Sequence, residues 1–154
     1  MTAIGKVSLR GITHDDFQYT FLLKTGAHEA VAADAGVKAV SMSTTANTVK
    51  LAVDGEKILG RLEIYELRTV EGITTGTVAL KGGIKFIVNP DATNSPDETP
   101  SVGEFIVGAV ADNSDAGYVR KATTAEAQAG KDNFLVVETG TDNAGDDFVI
   151  AINV

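Results

Sequence analysis

Apolar residues along this chain fall in short clusters, each cut off by glycine, asparagine or aspartate within a few positions. The clusters are rich in Val, Ile, Thr and Phe, and they predict strands over residues 5–9, 17–23, 38–43, 48–53, 58–67, 77–80, 84–88, 105–110, 118–121, 134–139 and 148–153. Short strands separated by turns at near-regular spacing predict a β-barrel or sandwich, not alternating helix and strand. Within 48–53, Val49, Leu51 and Val53 alternate with Thr48, Lys50 and Ala52. Within 58–67 the same period puts Ile58, Leu62, Ile64 and Glu66 on one face, with Leu59, Arg61, Glu63 and Tyr65 on the other.

Helical signals are few. The alanine-rich stretch GAHEAVAADAG (26–36) is short and bounded by glycines, so it predicts two turns at most. TTAEAQAG (123–130) has a capping threonine at 123 or 124 and a terminating Gly130, and reads as a small surface turn. NPDATNSPDETP (89–100) holds all three prolines and reads as an exposed loop. TGTDNAGDD (139–147) separates two strongly apolar runs, which predicts a C-terminal β-hairpin. The expectation is an all-β chain with little helix. Residues 1–24 form an N-terminal arm or strands, 25–122 a barrel core, and 123–154 a turn and hairpin, in one domain overall.

Composition narrows the classes. At 154 residues the chain is long enough for a core without staples, and it has no cysteine, which excludes disulfides and thiolate metal sites. No apolar run approaches a membrane span and no secretory leader is visible, so a chain made in the cytoplasm is expected, with no membrane partner. The net charge of −8 is uneven: +1 over residues 1–50, −4 over 51–110 and −5 over 111–154. Without a basic stripe, such a chain repels phosphate backbones, and no nucleic-acid partner is expected.

Several motifs approach a known chemistry without completing it. VDGEKILGRLEIYE (53–66) spaces Gly55 and Gly60 as a phosphate-binding loop does, but Arg61-Leu62 stands where Lys and a hydroxyl are needed. A strand-like alternation follows instead of a helix, and Asp54-Gly55 is a turn dipeptide. Gly60 then marks a bulge or barrel corner. His14-Asp15-Asp16 lacks a second histidine at ligand spacing. Residues 112–117 and 139–147 carry acids, but not at the positions of a calcium loop. No serine lies in a nucleophile elbow. An aromatic platform for sugars would have to use Tyr19, Tyr65 or Tyr118, since there is no tryptophan. No catalytic, metal or cofactor residue is therefore assigned, and no enzyme activity is expected.

The order of turns is more informative. From Val37 the chain reads VKAVSM, NTVKLAVDGEKILGRLEIYE, EGITTGTVALKGGIKFIV, PSVGEFIVGAVAD and AGYVRKA. With Gly60, Gly72, Gly76, Val78, Gly82, Gly83, Gly103 and Gly108 at its turns and strands, this resembles the small β-barrel decoration (head cement) proteins of tailed-phage capsids, over about residues 37–122. The resemblance implies a β-tulip-like barrel and a structural virion protein that stabilises the capsid exterior by bridging major capsid proteins. It further implies a homotrimer on local symmetry axes, with no cofactor. By the same analogy residues 1–23 form an arm whose Ile4, Val7, Leu9, Ile12, Phe17, Tyr19 and Phe21 meet capsid or subunit neighbours. The other reading of those positions is ordinary barrel strands. The rival to a decoration protein is a carbohydrate-binding or adhesive β-module of a phage fibre or cell surface, and a hydrolase of unrecognised type comes third.

Overall fold

The computed structural model describes residues 18–90, 99–110 and 115–154. Among these residues the strands are β1 (Gln18–Leu23), β2 (Ala39–Met42), β3 (Thr48–Leu51), β4 (Gly60–Arg68), β5 (Ile73–Ala79), β6 (Ile84–Ile87), β7 (Phe105–Val110), β8 (Ala116–Lys121), β9 (Phe134–Thr141) and β10 (Asp147–Asn153). One short helix, α1 (Thr124–Gln128), stands between β8 and β9. The protein is all-β, as the alternation predicts. Each described strand overlaps one of the predicted runs. The strand predicted over 5–9, together with Ile4, Val7, Leu9, Ile12, His14 and Phe17, lies outside the described residues.

β1 to β5 close a barrel in the order β1-β3-β2-β4-β5, with β5 returning to β1. β1 and β3 run parallel, Leu22 opposite Thr48, while the other barrel pairs are antiparallel. β6 to β10 form a second sheet in the order β6-β10-β9-β7-β8. That sheet curls until its two ends meet at a bridge between Val88 and Val119, where the Asn89 N–H donates to the Val119 carbonyl at 2.9 Å. The predicted C-terminal hairpin is present as β9–β10, a full antiparallel ladder inside this sheet. Tyr19 and Phe21 lie on the barrel strand β1, opposite Val78 and Gly76 of β5, and β3 pairs with β1 only further on, at Leu22 and Leu23.

Two cores follow from this layout. Leu23, Val40, Val49, Leu51, Leu62 and Val78 fill the barrel. Ile84, Phe86, Val88, Ile106, Val119, Phe134, Val136 and Val149 fill the curled sheet and join Ala39, Ala52, Ile58 and Ala79 at the barrel wall. The alanines keep that wall thin, so the sheets pack closely. Phe86 and Phe134, both fully buried, meet edge to face at 5.2 Å. Burying one such ring stabilises by roughly 2–3 kcal/mol.

The reading of β4 needs correction. Its register against β5 shifts between Leu62 and Ile64, so Glu63 is bulged out. A bulge adds one residue and reverses the face of everything after it. Leu62 therefore points into the barrel with Val78, but Ile64 faces outward at 54% exposure, and Tyr65 takes the inner side opposite Gly76. The irregularity sits at Glu63, not at Gly60. Gly60 opens β4, and its backbone passes so near β5 that a Cβ there would overlap the Ala79 carbonyl oxygen.

Candidate functional site

The turn at Asp54-Gly55 forms as predicted, with Gly55 at φ 68. It joins β3 to β4, which do not pair with each other, and it reaches across to the second sheet. The Gly55 N–H donates to the Gly108 carbonyl, and the Gly108 N–H donates to the Glu56 carbonyl, both at 2.9 Å. Beside them the Gly117 N–H donates to the Ala52 carbonyl at 2.8 Å. Gly108 has to be glycine for this approach, because a Cβ would overlap the Val53 carbonyl oxygen.

Side chains complete the junction. Arg120 on β8 is 9% exposed and donates from Nε to Asp54 Oδ1 at 2.7 Å. It also donates from Nη1 and Nη2 to the two oxygens of Glu126 at 2.9 and 2.6 Å, and from Nη1 to the Lys121 carbonyl at 2.9 Å. Glu126 is held in place by its own helix: its carboxylate accepts from the Thr123 N–H at 2.8 Å, and its N–H donates to Thr123 Oγ1 at 3.2 Å. This reciprocal cap is why TTAEAQAG makes a helix of only a few residues. Lys131 Nζ donates to the Gly55 carbonyl at 2.7 Å. The Arg120 guanidinium, opposed by burial and aided by the Thr123 amide, pushes the Glu126 carboxyl down to about 2. Glu126 in turn, with burial opposing and Asp54 aiding, raises Arg120 above its ordinary value. Four of the five guanidinium N–H groups are thus committed within the chain, which makes this a brace between sheets rather than an anion site.

A second charged cluster behaves alike. Lys38 is buried, lies 3.4 Å from the centre of the Tyr118 ring, and donates to both Asp115 oxygens at 3.2 Å. Tyr118 donates its hydroxyl to Asp115 at 2.9 Å. A cleft of about 560 Å³ is lined in part by Ser41, Met42, Lys57, Leu59 and Asn133. Ser41 Oγ donates to the Lys57 carbonyl and Asn133 Nδ2 to the Ile58 carbonyl, so these polar groups serve the backbone around them. Asn133 Oδ1 is buried without a partner and does not open to the cleft surface.

The residues singled out from sequence do not gather at one place. Tyr65 packs against the barrel core and Tyr118 covers Lys38, which leaves Tyr19 as the exposed tyrosine, 4.8 Å from Phe21. In the 139–147 turn, the Asp142 carboxylate accepts from the Ala144 and Asp146 amides at 2.9 and 3.0 Å and holds the hairpin loop. These amides, Asp146 first, and Lys85 keep it below the usual carboxylate range. Among the described residues no three His, Asp or Glu side chains cluster as a metal site. No helix among them is long and apolar enough to cross a membrane.

What sequence reading missed is the free end of the β4–β5 hairpin. Residues 66–73 are all exposed, and they include Leu67 at 58%, Val70 at 98% and Ile73 at 39%. Ile64 stands next to them on the outer face, with Leu22 of β1 opposite Thr75 on the same side. The signal was available in Ile64-Tyr65-Glu66-Leu67: two adjacent apolar residues break the alternation and place apolar side chains on both faces. Comparison of the chain with protein-family models, curated proteins and solved structures gives no significant match.

Proposed function

We propose that this is a structural virion protein that decorates the exterior of a phage capsid and stabilises it by bridging major capsid proteins. The observation that supports this reading is the β4–β5 hairpin, an exposed apolar finger mounted on a closed barrel. Four large apolar side chains, Ile64, Leu67, Val70 and Ile73, are exposed together on this one hairpin, on a chain of net charge −8. Apolar groups displayed in this way are the currency of protein contacts. The ion-paired brace at Arg120 and the paired Lys38 are structural in character, which fits a part whose work is to hold shape. Each contact with the shell can be modest, because one particle carries many copies and each copy meets several capsid subunits. The protein would be made in the host cytoplasm and act on the outside of the head. Ile4, Val7, Leu9, Ile12 and Phe17 supply a second apolar contact segment in this proposal.

Purified protein is expected to co-sediment with heads that lack their decoration and to raise their resistance to heat. Failure to bind such heads, with binding to a glycan array instead, would replace this reading by the adhesive module. Val70→Asp should weaken head binding roughly tenfold, as loss of one apolar anchor does. Deleting residues 1–10 should abolish binding while leaving the thermal midpoint of the free protein unchanged. A large fall in that midpoint would assign those residues to the fold instead.

A further inference from the structure

β2 pairs with β4 only at Gly60 and Arg61. The chain before β2 covers one position more: Leu62 donates to the Lys38 carbonyl at 3.0 Å and accepts from the Gly36 N–H at 2.6 Å. From Ile64 to Arg68, β4 is paired with β5 on one side and, among the described residues, with no strand on the other. An exposed strand edge of this length is a template for another strand. The question is which strand it fits.

The sequence of the edge answers it. An identical strand can pair with it antiparallel about a two-fold axis, so that residue i meets j and j meets i. Backbone groups alternate in direction along a strand, so the axis of such a pairing has to pass through a residue. Centred on Glu66 or Arg68, the pairing would put like charges directly opposite each other, which is destabilising. Centred on Tyr65, it would put Ile64 opposite Glu66 of the second copy. Centred on Leu67, it puts Leu67 opposite Leu67 of the second copy and Glu66 opposite Arg68 of the second copy, and the reverse. At the margin Ile64 then meets Val70 of the second copy. Tyr65 meets Thr69 of the second copy, and within the strand itself this register alone sets Leu67 against Leu67 and acid against base. The side chains it needs are accessible: Arg68 is 42% and Glu66 56% exposed, and the 3.4 Å contact between them within one chain is a solvent-facing one. Elsewhere the net charge of −8 opposes close approach of two copies.

We propose that the chain forms a two-fold dimer by antiparallel pairing of its β4 edges about Leu67, which joins the β1-β5-β4 sheets of two copies into one. The kind of partner this surface fits is a second copy of the chain. The symmetry differs from the three-fold association that the resemblance implies, and the inference does not rest on capsid binding.

Sedimentation velocity of the full chain over a concentration series tests it without any capsid present. A reversible dimer is expected. Glu66→Arg and Arg68→Glu each place two like-charge pairs in the interface by symmetry, and each should raise the dimer dissociation constant roughly tenfold or more. The double exchange restores both pairs in swapped form and should restore dimerisation. Unchanged circular dichroism and thermal midpoint of all three variants would show that the monomer fold is intact. A wild-type chain that stays monomeric or forms a trimer would overturn the proposal. So would a dimer indifferent to the single exchanges, or a double exchange as weak as either single one.

Discussion

Arg120 faces two carboxylates from a position almost closed to water, and its replacement by methionine keeps the stem but strands Glu126 beside a neutral side chain. Breaking one side of a mostly buried ion pair costs about 3 kcal/mol, so Arg120→Met should lower the urea midpoint markedly without changing the slope. The same pair makes stability depend on pH in a defined window. Glu126 has a folded value of about 2 against an ordinary 4.5. A depressed acid contributes its stabilisation above the unfolded value and loses it as pH falls toward the folded one. Roughly 2 kcal/mol should therefore disappear between about pH 4.5 and pH 2, and Glu126→Gln should flatten that part of the profile. Gly108→Ala should be as damaging as either change, because the clash is with backbone that cannot rotate away. None of these roles could be read from sequence. Arg120 and Asp54 are 66 positions apart, and Lys131 and Gly55 are 76 apart. Asp54-Gly55 announced a turn, but nothing in it announced what the turn would touch.

Elements were legible where one local rule governed them. Alternation placed β3, a short apolar run placed β6, and a threonine cap at 123 or 124 with Gly130 at the far end marked the turn that forms α1. Thr123→Ala should unravel that helix at a cost of about 1 kcal/mol, less if Arg120 still holds Glu126; amide exchange at residues 124–128 would report it. The outer half of β4 shows where the rule fails. A single extra residue at Glu63 turns Ile64 to solvent, and counting by twos cannot see it. The alanine-rich 26–36 stretch shows another limit: it yields one 3-10 turn over Ala32–Asp34, because its glycines leave too few residues to propagate a helix. The parallel pairing of β1 with β3 was also out of reach, since it is made between strands that are not neighbours in sequence.

At the scale of the molecule, barrel and curled sheet share Ile58, Ala39, Ala52 and Ala79 as common core, and the Asp54-Gly55 turn bonds to both. The two halves should therefore unfold as one. Ile58→Ala is expected to cost about 3–4 kcal/mol and to shift a single calorimetric transition downward without splitting it. A second peak would show that the halves are independent. The barrel class followed from turn spacing, whereas the division after β5 did not, because the turns on either side of it look alike.

The near-closure of both sheets has a consequence for growth. Strands tend to recruit further strands, and a protein displayed at high density on a surface would invite endless addition if its ladders stayed open. Here the barrel has closed on itself, and the curled sheet has sealed its ends at Val88 and Val119. In the proposed dimer the β4 edge of one copy is taken by that of another, so that edge is used up within the pair. A pairing about a two-fold axis closes on itself, so contact through this edge would give a pair and not a fibre.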